Sequence, residues 1–156
     1  MTIPTNITWP ASLPKPLREG HSTQHQSPTR RTNLASGRAR VRRVHESVPS
    51  LKRFEWLMTG LQAVAFEAWF RDVLQDGAQW FKLYSLTPLG QQTEMVCRFV
   101  DMYDGPNLEA VNHWRIRAEL EVWERPLMPA GWGHAIDFLV RPDYLDQAVN
   151  HEWPNA

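Results

Sequence analysis

The amino-acid sequence predicts an α+β fold, a mainly antiparallel β-sandwich or sheet with one packed α-helix and extended N- and C-terminal arms. Three observations carry that expectation. Several segments alternate apolar and polar residues at the period of a strand, and one segment has the apolar spacing of a helix. The helix lies between two runs of strands rather than alternating with them, which favours antiparallel pairing over a parallel α/β sheet. The expected organisation is an extended arm over residues 1–37, a core domain over 38–124 and a C-terminal extension over 125–156.

The arm comes first. Prolines 4, 10, 14, 16 and 28 remove backbone donors and push the preceding residues into extended conformations. Only Trp9, Leu13, Leu17 and Leu34 offer apolar anchors, too few to offset the ordering entropy of the segment. Arg38 to Val48 then reads as a strand, and Leu51 to Met58 as a second, with Phe54, Trp56 and Met58 on one face. Pro49-Ser50 separates the two, which suggests a hairpin.

The helix is predicted over Gly60 to Gln75. Thr59 is its candidate N-cap and Gln62 completes a capping box. Apolar residues at 61, 64, 65, 68, 69, 73 and 74 make the expected buried stripe, broadened by Phe66 and Phe70. Gly77 suits the left-handed position beyond the C-terminus. Three more strands are expected at Gln79 to Ser85, Thr93 to Met102 and His113 to Glu124. Turns at Thr87-Pro88-Leu89-Gly90 and Asp104-Gly105-Pro106-Asn107 divide them. The candidate core is Trp56, Leu61, Ala65, Phe66, Trp69, Phe70, Phe81, Phe99, Trp114, Ile116 and Leu120. A short helix is expected near Tyr144 to Val149.

Charge divides the chain more sharply than hydropathy does. Lys plus Arg and Asp plus Glu both number 17, so the formal net charge is zero. Residues 1–43 nevertheless hold eight bases (Lys15, Arg18, Arg30, Arg31, Arg38, Arg40, Arg42 and Arg43) against the single acid Glu19. The remainder is acidic by the same margin. Such polarity suits contact with a partner, and charge complementarity favours a protein partner over nucleic acid. The arginine run also lacks the aromatic residues that stack bases. Candidate contact residues are Trp9, Leu13, Arg30, Arg31, Arg38, Arg40, Arg42, Arg43, Trp132 and Trp153. Eight tryptophans fit a chain that packs against others.

Chemistry is weakly signalled. The sequence has no apolar run of membrane-spanning length, and its opening, with prolines and no apolar stretch before the first charge, does not read as a secretory signal. One cysteine, Cys97, excludes an internal disulfide and fits synthesis in a reducing cytoplasm. No phosphate-binding, dinucleotide-binding, zinc-protease or serine-hydrolase motif occurs, so no cofactor, metal or catalytic residue is expected. Three weaker constellations occur. His21 and His25 have i, i+4 spacing but lie outside any helical pattern. Cys97 with His113 as base lacks an orienting third group, and Cys97 sits in an alternating strand as a small apolar residue. Asp101 and Asp104 flank turn formers and read as turn residues.

One resemblance adds to this reading. Trp9-Pro10-x-x-Leu13-Pro14-x-Pro16-Leu17, then Arg30-Arg31-Thr32 and Ser36-Gly37-Arg38-Ala39-Arg40-Val41-Arg42-Arg43, resembles the opening of a family of small tail proteins of tailed phages and prophages. The stretch with Phe54, Leu57, Phe66, Trp69, Phe70 and Leu74 to Gly77, and the strand Trp114-Arg115-Ile116-Arg117-Ala118-Glu119-Leu120-Glu121-Val122, are similar to later parts of that pattern. The resemblance covers residues 9–124 and is to lambda-type minor tail and distal tail proteins. Lys82 departs from the aromatic strand of the pattern, and the extension after Glu124 is longer. The resemblance implies a β-sandwich with one helix, assembled as a ring, usually hexameric. Its implied partners are the tail tube and the baseplate hub or tail-tip proteins, and its implied location is the virion tail. A closed ring needs two different patches per subunit, and the cationic arm and anionic body are one candidate pair.

Overall fold

The computed structural model describes residues 3–88 and 92–141. The chain falls into two units, Met1–Pro126 and Leu127–Ala156. In the first unit the elements are β1 (Ser22–His25), β2 (Thr29–Asn33), β3 (Ala39–Arg43), β4 (Ser50–Thr59), α1 (Gly60–Asp72), β5 (Phe81–Leu86), β6 (Gln92–Phe99), β7 (Asp104–Ala110) and β8 (His113–Val122). Six strands form one antiparallel sheet in the order β1-β4-β8-β6-β5, with β7 also on β8. Strands β2 and β3 form a separate two-stranded sheet. The fold is therefore α+β, dominated by antiparallel strands with one long helix. The second unit holds a 3-10 turn, Trp132–His134, and the short helix α2, Ile136–Val140. The helix expected near Tyr144 to Val149, and Trp153, lie outside the described residues, as does part of the turn at Thr87 to Gly90.

Alternation built the interior. Strand β4 buries Ser50, Lys52, Phe54, Trp56 and Met58, and β8 buries Ile116, Ala118, Leu120 and Val122 opposite them. Strands β5 and β6 add Phe81, Leu83, Met95, Cys97 and Phe99. Trp69 and Trp114 are half-buried against this core. Two-residue periodicity sends the remaining side chains to the other face, which is charged.

Helix α1 starts as predicted, with the Thr59 N–H donating to Gln62 Oε1 at 3.0 Å. Its buried side differs from the expected stripe. Ala63, Phe66 and Phe70 face the sheet, followed by Leu74 beyond the helix end, whereas Leu61 is 86% exposed and Val64, Ala65 and Ala68 also face outward. Two core expectations, Leu61 and Ala65, are thereby corrected. The apolar positions of this helix outnumber one face, and burial scales with area, so the phenylalanines take the interior in preference to alanine and leucine. The turn after α1 holds Gln75, Asp76 and Gly77 at positive φ. A Cβ at Gly77 would lie 2.9 Å from Phe99 Cβ, so both backbone and space require glycine there.

The N-terminal segment is no free arm. Thr8 bridges to Lys82 in parallel register, the Trp9 N–H donates to the Lys82 carbonyl at 2.9 Å, and the Lys82 N–H donates to that of Ile7. Farther along, the Leu17 N–H donates to the Glu55 carbonyl at 2.8 Å, and β1 extends the same edge of β4. Residues 7–17 thus run from the end strand β5 to β4. The Trp9 ring wedges into the gap, stacked on Trp56 at 5.1 Å and edge-on to Trp69 at 5.4 Å. Leu13 is 6% exposed. Trp9 and Leu13, expected at a subunit contact, are packed in their own chain.

Three further expectations are corrected. The boundary at residue 37 falls in the turn of the β2–β3 hairpin, inside one unit. The hairpin itself joins β3 to β2, not to β4, which instead pairs with β1 and β8. The loop expected at Asp104 to Asn107 opens strand β7, whose pairing with β8 shifts register between Asp104 and Asn107.

Candidate interaction surface

The arginine-rich segment folds into a ribbon. Gly37, at φ 76°, lets its N–H reach the Leu34 carbonyl at 3.0 Å and closes the turn between β2 and β3. Pro28 receives the Val44 and His45 N–H groups at the base. Every residue of β2 and β3 is exposed except Ala39, which is half-buried. Register sets Arg30 directly opposite Arg42, and Arg40 lies two residues from Arg42 on the same face. Arg31, Val41 and Arg43 share the other face. The Arg43 guanidinium donates to the His45 and Glu46 carbonyls and so roots the ribbon. Arg30, Arg31, Arg38, Arg40 and Arg42 have no carboxylate partner among the described residues. From Gly20 to His45 the sequence contains no acid at all.

The outer face of the main sheet is the opposite case. Cross-strand partners there carry opposite charges: Arg53 faces Glu119, Glu55 faces Arg117 and Arg98 faces Glu121. Arg115 joins Glu55 at 2.7 Å and clasps both oxygens of Glu109. Arg117 reaches the other Glu55 oxygen at 3.1 Å. The hydrogen bonds from Arg115 and Arg117 hold the Glu55 carboxyl below the usual range. Arg98 also lies over the Trp80 ring, 4.7 Å from its centroid.

A third region collects carboxylates beside the helix. Tyr103 donates to Glu67 Oε1 at 3.1 Å and packs edge-on to Phe66 and Phe70. Burial, together with the charges of Glu67 and Asp76, pushes its hydroxyl up to about 12. Asp101 and Asp104 flank it in sequence, and Asp76, Asp101 and Asp104 are exposed.

The interior holds an unusual cation. Lys52 is 3% exposed, and among the described residues its amine donates only to the Met95 sulfur, at 3.5 Å. Burial lowers its pKa, and burial raises that of the neighbouring Cys97 thiol. His21 sits at the seam where the segment before β1 meets β5. It is edge-on to Phe54, with Nε2 3.5 Å from Ser85 Oγ. Its pKa is lowered by burial first and by Lys52 second. A cavity of about 380 Å³ opens at this seam, lined in part by Arg18, His21, Tyr84 and Ser85.

The weaker constellations do not assemble. Cys97 pairs with Val122 and His113 with Thr59, so β8 separates them by nine residues, about 30 Å of strand. His25 contacts Ser50 Oγ at 3.0 Å through Nδ1, while His21 turns toward Ser85. No group of three or more His, Cys, Asp or Glu side chains able to hold a metal occurs among the described residues. No helix among them is long and apolar enough to cross a membrane. Of the predicted contact residues, the six arginines from Arg30 to Arg43 come together on one ribbon. Trp132 is half-exposed in the second unit.

Lys52, Glu55, Glu67 and Asp76 carry no motif that marks them in the sequence, while Asp101 and Asp104 read there only as turn residues. The alternation of β4 already placed residue 52 inward with Phe54 and Trp56. The carboxylate group joins a helix, its terminal turn and a strand connection, and no spacing announces that. Compared with known proteins, the chain matches no family model, no curated protein and no solved structure.

Proposed function

We propose that this chain is a structural subunit of a phage tail, a ring-forming minor tail or distal tail protein at the junction of the tail tube with the baseplate or tail tip. The observation that carries this reading is the β2–β3 ribbon. An isolated two-stranded hairpin is marginal in water, and like charges directly opposite weaken it further. A ribbon that is stable only against an anionic surface suits an assembly subunit. Its sequence, Arg30 to Arg43, also carries part of the resemblance to the tail family. Electron microscopy and light scattering of the purified protein, with mass spectrometry of purified virions, test the reading. Rings and incorporation into tails are expected. A monomer at every concentration, absent from virions, overturns it.

A second reading takes its support from the same ribbon. Five arginines without carboxylate partners could neutralise phosphates, as in a nucleic-acid-binding or packaging-associated phage protein. Filter binding across a salt series separates the two, since phosphate contacts give a steep negative slope of log affinity on log salt. A tail completion or terminator role differs only in the ring's position on the tail.

A further inference from the structure

The ribbon's arginines need a counter-surface, and the same chain carries one. We propose that the Arg30–Arg40–Arg42 face of the β2–β3 hairpin docks on the carboxylates around Tyr103 of a second copy of this chain. This inference rests on the structural-subunit reading and names the contact through which such subunits would join.

The charge balance selects this occupant. The ribbon presents three arginines on one face with Arg38 near its tip, and none of them reaches a carboxylate among the described residues. Glu67 and Asp76 act on one tyrosine, and the exposed Asp101 lies two residues before it in sequence. Asp76 and Asp101 make no ion pair among the described residues, whereas Asp104 belongs with Arg117, 3.9 Å away. Elsewhere the acids of the sheet are already matched: Glu55, Glu109, Glu119 and Glu121 are engaged by arginines of their own sheet. The Tyr103 group is one place among the described residues where acidic charge remains to be matched. A nucleic acid fits less well, because the phosphates that met the ribbon would also face a body with as many surplus acids as the ribbon end has surplus bases. In copy-to-copy contact both surpluses are neutralised.

The two patches differ, so the contact is heterologous. Each copy gives its ribbon to one neighbour and its carboxylates to another, and the assembly closes as a ring or grows as a row.

Two variants of the full chain test the contact. One reverses the ribbon (Arg30→Glu, Arg40→Glu and Arg42→Glu), and the other reverses the patch (Asp76→Lys and Asp101→Lys). All changed residues are exposed, and circular dichroism checks that each variant folds. In sedimentation velocity at low salt, the wild type should associate and each variant alone should lose at least tenfold in association constant. Mixing the variants should restore assembly, because each reversed ribbon then meets a reversed patch and each native ribbon a native patch. Rescue on mixing requires contact between copies. Variants that associate like the wild type, or mixtures that stay dissociated, overturn this docking while leaving the tail-subunit reading to the virion analysis. A ribbon variant that assembles normally but loses binding to a duplex oligonucleotide overturns it in favour of the nucleic-acid reading. A wild type that stays monomeric in solution yet is found in virions overturns it too, and leaves the tail reading standing.

Discussion

Arginine occupies two antiparallel ladders in this protein under opposite rules. Across β4, β8 and β6, each of Arg53, Arg117 and Arg98 faces a carboxylate in register, and Arg115 sits between two. Across β2 and β3, Arg30 faces Arg42. The first ladder satisfies itself inside one chain. The second is frustrated inside one chain, so the same residue type marks the stable framework in one region and a demand for a partner in the other. What distinguishes them is cross-strand register, which composition does not reveal.

The comparison can be broken most forcefully from the framework side. Trp56 is fully buried and stacked on Trp9, so Trp56→Ala should destabilise the fold by about 3–5 kcal/mol, measured by denaturant unfolding. No ribbon substitution should approach that loss. If one did, the hairpin would belong to the same cooperative unit as the sheet interior, and the contrast would fail.

The interior also holds a cation that no carboxylate meets among the described residues. Replacing Lys52 with Met removes a buried amine whose partner there is a thioether, and should stabilise the protein by about 1–3 kcal/mol at neutral pH. The pH dependence has a definite sign. Folding lowers this amine's pKa, so the unfolded chain binds the proton more tightly and wild-type stability rises with pH up to the unfolded value near about 10.4. The advantage of Lys52→Met should therefore be full at low pH and shrink as that value is approached. A pH-independent difference would mean that the amine is solvated.

Glu55 tests the matched ladder itself. Glu55→Gln leaves Arg115 and Arg117 without their shared carboxylate, and should cost about 1 kcal/mol at neutral pH, near the upper end for a partly exposed network. The folded pKa of Glu55 is depressed, so its contribution is present above the unfolded pKa and is lost as pH falls through the folded one. Unfolding curves of variant and wild type should converge in acid.

Much of this framework was legible beforehand. The inward faces of β4, β5, β6 and β8 follow from alternation, and Thr59 with Gln62 marks the start of α1. What stayed hidden has physical causes. Strands β1 (STQH) and β2 (TRRTN) are exposed on both faces, so no apolar period betrays them. Strand β7 begins Asp-Gly-Pro, which reads as a turn because proline and glycine usually interrupt ladders. The outward face of α1 is not legible in the sequence, because Leu61, Val64, Ala65 and Ala68 recur at helical spacing while the larger Phe66 and Phe70 decide what is buried. The arginines of the candidate surface were named from sequence, but not their pairing, since a segment without apolar alternation gives no register.

Salt separates the two ladders with the smallest effect and the clearest sign. Between about 0.1 M and about 1 M salt the Debye length falls from about 10 Å to about 3 Å. In the main sheet, screening weakens the attraction of Arg115 for Glu109 and of Arg117 for Asp104 and should loosen the pairing of β7 with β8. In the ribbon, screening weakens the repulsion between Arg30 and Arg42 and should tighten it. Hydrogen exchange of dilute protein should therefore slow over residues 29–43 and quicken over residues 104–117 on adding salt, each by a few tenths of a kcal/mol. Arg42→Thr should abolish the first response and spare the second, because it removes the like charge opposite Arg30 and touches nothing in the sheet. If exchange quickened with salt in both regions, the ribbon would already hold an anionic partner within its own chain, and its arginines would not be waiting for a second copy.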